Sequence, residues 1–353
     1  MASAGATLLH ESAFAQLSMV NREIPADAVR INANENPLGP CAEALDAMSS
    51  ALRRGGRYWY EDGRTFERTL AELEGVRPEY VRGYGGSSLP LIHAVFAFTS
   101  RERGLVVADP TYEAPGRAAQ FTGAKVSAVP LTSDYRHDVK AMAAADPNAG
   151  LIYICTPNNP TGTLTPKEDI VWLLKNKPAG AVLLVDEAYL HFVDAPACSD
   201  LVTADGDLII LRTFSKLYGM AGLRAGAAIG RPDLLAKLAP YHSGALPLTG
   251  VIGATASLRS KSLVPERRKL NAEVREQTFE WLSKKNIKFV PSVSNCFMVD
   301  CGRPGREVMD ALFKESVLVG RSWPVWPNHV RVTVGTAEEM KKFQAAFARV
   351  ISA

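Results

Sequence analysis

No apolar run in this sequence reaches the roughly 18 residues needed to cross a bilayer, so a membrane-spanning protein is not expected. Cysteine is sparse: Cys41, Cys155, Cys198, Cys296 and Cys301 include no C-x-x-C pair, which argues against a zinc site or a disulfide framework. Reduced thiols in the cytoplasm, and no metal, are the expectation. Charge of one sign is lacking as well. Forty basic and 37 acidic residues leave a formal net charge of +3 without a long single-sign block, so the chain carries no electrostatic footprint for nucleic acid. There is no internal repeat and no low-complexity segment. Near the start, Ala13-Phe14-Ala15 has the look of an A-x-A cleavage site, but the basic start and continuous apolar stretch of a signal peptide do not accompany it.

What is present is an ordinary globular composition. With 47% hydrophobic and 22% charged residues, disorder and fibrous architecture are poor readings, and 353 residues suit a large domain plus a smaller one, with a cleft between them for a small molecule. Four short β-rich runs recur mid-sequence: Leu105-Val106-Val107, Leu151-Ile152-Tyr153-Ile154, Val182-Leu183-Leu184-Val185 and Leu208-Ile209-Ile210-Leu211. Apolar throughout and separated by helix-like stretches, they predict buried strands of a mostly parallel α/β sheet. The expected division is an N-terminal arm over 1–30, a large domain over 31–245 and a smaller α+β domain over 246–353. In the last of these, a charged helix runs from about Pro265 to Lys285. Strands follow in Lys288 to Asp300 and Val330 to Val334, with helices at Arg306 to Glu315 and Ala337 to Ile351.

Each of the four runs is followed at once by polar or turn-forming residues: Asp109-Pro110-Thr111-Tyr112, Pro157-Asn158-Asn159-Pro160-Thr161-Gly162, Asp186-Glu187-Ala188-Tyr189 and Thr213-Phe214-Ser215-Lys216. Ligands of open α/β sheets sit outside the carboxyl ends of the strands, so these segments are expected to converge on one crevice. A lone lysine is most often a solvated one. Lys216 differs in its company, with hydroxyls at Thr213 and Ser215 and a guanidinium at Arg224. Those groups suit a phosphate monoester, and a partly dehydrated amine suits an aldehyde. Gly85-Gly86-Ser87-Ser88 precedes an apolar stretch, Leu89 to Phe98, and offers a helix N-terminus to an anion, although an ordinary capped helix has the same look. Asp186 carries a carboxylate into a low-dielectric place where a pyridinium would satisfy it, or it caps the next helix. Asn159 and Tyr189 can donate to a phenolic oxygen, while Asn158-Asn159-Pro160 also reads as a plain turn. Tyr112 offers a flat face for stacking on a ring, or simply core packing.

Taken in order, Asn34-Glu35-Asn36-Pro37, Arg57-Tyr58, Gly85-Gly86-Ser87-Ser88, Asp109-Pro110-Thr111-Tyr112, Asn158-Asn159-Pro160-Thr161-Gly162, Asp186-Glu187-Ala188-Tyr189, Thr213-Phe214-Ser215-Lys216 and Arg331-Val332-Thr333-Val334-Gly335-Thr336 form a series. It resembles the class I/II aminotransferases, and among them the histidinol-phosphate aminotransferase group, from about residue 31 to the C-terminus. The resemblance implies the type I fold of pyridoxal 5'-phosphate (PLP) enzymes and a homodimer with active sites at the subunit interface. By position, Lys216 resembles the Schiff-base lysine, Asp186 the partner of the pyridine nitrogen, and Asn159 and Tyr189 the donors to the phenolic oxygen. Tyr112 resembles the stacking aromatic. Gly86, Ser87, Thr213, Ser215 and Arg224 resemble the phosphate cup, and Tyr58 the tyrosine lent to it by the other subunit. Arg331 resembles the arginine that grips the substrate's acidic group, with Asn34, Asn295 and Arg321 as secondary contacts. Two departures from the family pattern fall near the substrate pocket or the subunit interface: Leu89 stands where relatives often have an acidic residue, and Tyr58-Trp59-Tyr60 replaces the commoner Tyr-Pro pair.

The implied reaction is ping-pong transfer of an amino group from a small-molecule amino donor to a 2-oxo acid acceptor. The same scaffold also supports racemisation, decarboxylation, elimination or oxidation at the α-carbon, since fold does not fix function. A PLP-binding regulator would need a DNA-binding module, and no basic helix-turn-helix pattern occurs in the stretch before Asn34.

Overall fold

The computed structural model of the chain describes residues 23–204, 206–242 and 244–352. Ala13-Phe14-Ala15 and most of the proposed N-terminal arm lie outside the described residues. The strands are β1 (Val29–Ile31), β2 (Val81–Tyr84), β3 (Gly104–Asp109), β4 (Val126–Pro130), β5 (Ala149–Cys155) and β6 (Val182–Asp186). They continue with β7 (Leu208–Thr213), β8 (Gly226–Gly230), β9 (Cys296–Asp300), β10 (Val317–Val319) and β11 (His329–Thr333).

One compact unit comprises Asn36–Asn159 and Thr163–Lys269. Its sheet has the order β2-β8-β7-β6-β5-β3-β4, with β4, β3, β5, β6 and β7 parallel and β8 antiparallel to both β7 and β2. All four apolar runs are therefore neighbouring parallel strands. Their continuous hydrophobicity has a direct cause. Val106, Ile152, Ile154, Leu183, Val185, Leu208 and Ile210 pack into one core on one face, and the alternate residues Leu105, Leu151, Tyr153, Leu184, Ile209 and Leu211 into a second core on the other. With helices on both sides, no position on these strands is left for water.

The second unit contains the described residues up to Glu35, then Pro160–Gly162 and residues from Leu270 onward. β9 and β11 pair antiparallel, and β1 pairs parallel with β10 through Val29↔Val317 to Ile31↔Val319. The helices Gly305–Lys314 and Ala337–Ser352 cover a core of Phe297, Val299, Leu312, Val332, Phe343 and Phe347.

The expected domain boundaries are not where the compact units divide. Residues 31–35 belong with the C-terminal unit, because the strand that leads into them pairs with β10. The helix Leu248–Arg259, assigned from sequence to the small domain, packs instead on the helices Ala42–Ala51 and Tyr60–Glu74 of the large unit. Its glycines allow this: a Cβ at Gly253 would lie 2.8 Å from Met48 Sδ and one at Gly250 2.3 Å from the Leu223 carbonyl. The motif Asn158-Asn159-Pro160-Thr161-Gly162 is itself divided. Gly162 (φ +69°) meets Ser292 and Cys296 so closely that any side chain there would overlap them, and its carbonyl accepts from Val293 N at 2.9 Å.

Candidate cofactor and substrate sites

Strand register explains how the large unit gathers its cofactor candidates. Across three adjacent strands, Tyr84 pairs with Gly226 and Gly226 with Thr213. The segments that run on from this row, Gly85-Gly86-Ser87 after β2 and Ser215-Lys216 after β7, and Arg224 just before β8, are thereby delivered to one place. Thr213 Oγ1 and Ser215 Oγ lie 3.1 Å apart, and Thr213 Oγ1 also accepts from Ser215 N at 3.2 Å. Arg224 donates to Ser215 Oγ at 3.4 Å and to the Ala221 carbonyl at 2.7 Å from a left-handed backbone (φ 56°).

Gly86 has φ +92°, and a Cβ there would come within 2.2 Å of Arg224 Nη2. Glycine is thus required twice over, by backbone conformation and by the guanidinium lying against the turn. The same turn leads into the helix Ser88–Phe98, whose N-cap residue is Ser87. Two hydroxyls, a guanidinium and a helix N-terminus at a glycine turn all have N–H or O–H groups to donate, which is the chemistry a phosphate monoester needs.

The pleat separates the two acids of Asp186-Glu187. Asp186 shares its face of the sheet with Tyr153, two residues before its register partner Cys155, and the Tyr153 hydroxyl donates to Asp186 Oδ2 at 2.9 Å. Asp186 Oδ1 accepts from Ala188 N at 3.1 Å, so the carboxylate closes a local turn rather than capping a helix. Burial pushes Asp186 up to about 6, although the Tyr153 hydroxyl, the Ala188 amide and the charge of Lys216 all act the other way. Tyr153 is itself buried, which lifts its phenol well above its ordinary range and keeps it a donor. Lys216 Nζ stands 5.8 Å from the centre of the buried Tyr189 ring. A protonated pyridine nitrogen is the group this carboxylate fits: its direct hydrogen-bond donors are neutral, and its pKa shows that burial is only partly compensated.

On the opposite face Glu187 meets Arg212, and Arg212 also holds Glu74 through Nε at 2.5 Å and Nη2 at 2.9 Å. Against the cost of burial, the two carboxylates raise Arg212 above its ordinary range, and Arg212 in turn keeps Glu74 low. Burial, with help from Arg212, brings His191 down to about 4, so it adds no second positive charge.

Asn159 is buried at the end of the segment after β5. Its neighbour Asn158, fully buried, accepts from Thr111 Oγ1 at 2.8 Å and donates to the Pro110 carbonyl at 3.1 Å. Those bonds tie the loop after β5 to the loop that carries Tyr112, which is half-buried against the second core. Tyr58 is 72% exposed. Beside it Trp59 is fixed in a left-handed conformation (φ 49°), its Nε1 donating to the Arg54 carbonyl at 2.7 Å and its ring under the Arg54 guanidinium at 4.1 Å.

The four substrate candidates all fall in the C-terminal unit. Asn295 Nδ2 donates to the Asn34 carbonyl at 3.1 Å, and Asn34 N donates to Thr333 Oγ1 at 2.9 Å, so Asn34 and Asn295 form one cluster. Arg331, two residues before Thr333 on β11, donates from Nη2 to the Asn32 carbonyl at 2.6 Å and from its backbone N to the Arg321 carbonyl at 3.2 Å. Arg321 and Arg331 are both buried. Tyr153, Asn158 and Arg212 were not picked out as site residues from sequence. The available signal was a polar group inside an otherwise apolar strand, as in Leu-Ile-Tyr-Ile-Cys and Ile-Ile-Leu-Arg-Thr.

The family model for aminotransferase class I and II matches residues 26–347. Among curated relatives, "Histidinol-phosphate aminotransferase" of Moorella thermoacetica is 33% identical over 94% of this chain and 88% of its own length, and that of Symbiobacterium thermophilum is 35% identical over 93% and 92%. Among solved structures, a putative histidinol-phosphate aminotransferase from Erwinia carotovora atroseptica superposes with a TM-score of 0.88 at 30% identity, covering 93% of this chain and 98% of that one. The histidinol-phosphate aminotransferase from Sinorhizobium meliloti, in complex with pyridoxal-5'-phosphate, gives 0.87 at 26% identity, covering 96% and 94%.

Proposed function

The chain belongs to the class I and II aminotransferases, which are PLP-dependent, and from that premise we propose that it transfers the amino group of histidinol phosphate, or of an amino acid, to a 2-oxo acid. One observation carries the assignment of roles: a buried carboxylate, Asp186, lies within electrostatic reach of Lys216, at the strand ends that also deliver the donors Thr213, Ser215 and Arg224. When bound, PLP supplies an aldehyde and an electron-withdrawing pyridine ring that drains charge from the substrate's α-carbon.

The chain's residues do the rest. Gly86, Ser87, Thr213, Ser215 and Arg224 would hold the phosphate, Tyr112 would face the ring, and Asn159 and Tyr189 would donate to the phenolic oxygen. Asp186 would keep a proton on the ring nitrogen, with Tyr153 orienting the carboxylate. Lys216 would hold the aldehyde when the cofactor is bound, and its amine, once free, is the group that would take up and return the proton at the substrate's α-carbon as base and acid. Arg331 grips the acidic group of the substrate, and Arg321, Asn34 and Asn295 make secondary contacts. We place the activity in the cytoplasm. No helix among the described residues is long and apolar enough to cross a membrane.

Histidinol phosphate, glutamate, phenylalanine and tyrosine should be offered in turn as donors while the visible absorbance of the lysine-bound cofactor is followed. Histidinol phosphate is expected to discharge it with a kcat/KM at least about tenfold above the others, a difference of ~1.4 kcal/mol. A higher value for any of the other three would overturn the choice of donor.

The functional unit we propose is a homodimer in which Tyr58 reaches the phosphate bound by the partner. Support comes from the exposed large side chains of the large unit, Tyr58, Tyr60, Leu38, Leu52 and Leu89 among them, which include the kind of aromatic residue that interfaces are enriched in. Tyr58→Phe/Lys216→Ala chains mixed with wild type give heterodimers whose one intact lysine faces Phe at position 58 of the partner. PLP affinity at that site should fall by about tenfold, the loss of one hydrogen bond to a charged group. Wild-type affinity there would mean that Tyr58 acts within its own subunit or not at all.

A further inference from the structure

The C-terminal unit has a feature that the roles above leave unused. Trp323 is 2% exposed, and two guanidinium groups lie against it: Arg321 Cζ is 4.9 Å from its ring centre and Arg331 Cζ is 5.7 Å. Backbone bonding brings these arginines side by side, with Arg331 N donating to the Arg321 carbonyl at 3.2 Å and Gly320 N to the Arg331 carbonyl at 2.7 Å. Room for the Arg331 side chain depends on Gly320, where a Cβ would lie 3.0 Å from Arg331 Nε and 2.9 Å from its carbonyl oxygen.

Both guanidinium groups are buried, at relative exposures of 9% and 6%, and like charges this close repel. An indole is the uncharged side chain best suited to the conflict, since its ring faces are negative and attract a cation within about 6 Å without neutralising it. The indole is also firmly placed. Trp323 and Trp326 form a β-bridge in the segment Trp323-Pro324-Val325-Trp326-Pro327, with Trp326 N donating to the Trp323 carbonyl at 2.9 Å, and the two prolines restrict the backbone on either side.

We propose that Trp323 is a positioning and specificity-determining residue: it holds Arg321 and Arg331 together as one dibasic receptor selective for a doubly charged anion, a phosphate monoester, over a single carboxylate. The proposal rests on the reading of Arg331 and Arg321 as substrate residues. Trp323 does not touch the reacting atoms. Its contribution is the spacing and charge of the pair.

Replacement by leucine keeps apolar bulk and removes the ring quadrupole; replacement by phenylalanine keeps a ring. In the holoenzyme, Trp323→Leu should raise KM for histidinol phosphate by roughly tenfold to thirtyfold while changing kcat by less than about threefold, because the loss is of binding common to ground and transition states. With histidinol, which lacks the phosphate, KM should change less than about twofold, and Trp323→Phe should recover to within about threefold of wild type for both. Calorimetric titration of Lys216→Ala chains with histidinol phosphate, where no turnover occurs, should show the same loss on adding Trp323→Leu. Equal effects on histidinol and histidinol phosphate, or no rescue by phenylalanine, would reduce Trp323 to a space-filling residue and overturn the proposal. Arg331→Gln separates the two levels of argument. If it raises KM for histidinol phosphate while Trp323→Leu does not, this inference alone fails; if it leaves that KM unchanged, the substrate reading falls and this inference falls with it.

Discussion

Lys216→Ala chains are expected to fold, to lack the visible absorbance of lysine-bound cofactor, and to lose turnover by roughly 10⁴-fold or more. The lost contributions are a general acid–base step worth ~10²–10⁴-fold and the covalent handling of the aldehyde. The fold should survive because Lys216 is only half-buried and sits after β7, while the neighbouring Phe214 and Leu217 carry the packing there. Phosphate binding should survive in part, since Thr213, Ser215 and Arg224 hold one another without the lysine. A second consequence follows for the carboxylate. The charge of Lys216 is one of the influences holding Asp186 down, so its removal should raise Asp186 further above about 6 in the cofactor-free chain. The direct check is borohydride reduction of wild-type protein followed by peptide mapping. The phosphopyridoxyl label belongs on Lys216, and a label on any other lysine removes the basis of the whole assignment.

The central sheet was legible in the sequence because its strands are buried on both faces. Leu151-Ile152-Tyr153-Ile154 and its three counterparts have no solvent side, and each ends on a turn that carries chemistry. The short strands β1 and β10 were not found. Val-Arg-Ile and Val-Leu-Val are each three residues long and gain meaning only when residues almost three hundred positions apart pair. The domain boundary was misplaced for a similar reason. The helix Leu248–Arg259 belongs with the large unit because Gly250 and Gly253 fit against Leu223 and Met48, a close approach that no periodicity records. Of the candidate site, the sequence singled out residues with motif-like neighbours. Tyr153 was missed because a tyrosine inside an apolar run reads as core. Its function as the donor to Asp186 comes from the register of β5 against β6, which brings residue 153 onto the same face and within 2.9 Å. Trp323 was missed because its neighbours Arg321 and Arg331 are assembled by backbone pairing across the second unit.

Asp186→Asn is expected to separate stability from catalysis, with opposite signs. In the cofactor-free wild-type chain the folded carboxyl has its pKa raised from 3.8 to about 6, burial being the main cause. A raised folded-state pKa means that the folded form binds the proton more tightly than the unfolded one. Between about pH 4 and pH 6 the unfolded state therefore ionises first, and the cofactor-free chain loses stability as pH rises, by roughly 3 kcal/mol in full at ~1.4 kcal/mol per unit. Asparagine carries no such charge and can still accept from Ala188 N and pair with the Tyr153 hydroxyl. The cofactor-free variant should therefore match wild type near pH 4 and exceed it above pH 6.5, a crossover that urea titrations at the two pH values will read. Catalysis should move the other way. An amide cannot hold a proton on the pyridine nitrogen, and the charge partner lost inside the site should cost the α-proton transfer on the order of 3–5 kcal/mol, about 10²–10⁴-fold in a single-turnover rate. The deficit belongs in kcat, because the phosphate donors and Arg331 are untouched. A variant with near-normal single-turnover rates would return Asp186 to the role of a turn former. One whose cofactor-free stability keeps the wild-type pH dependence would show that another group titrates near 6.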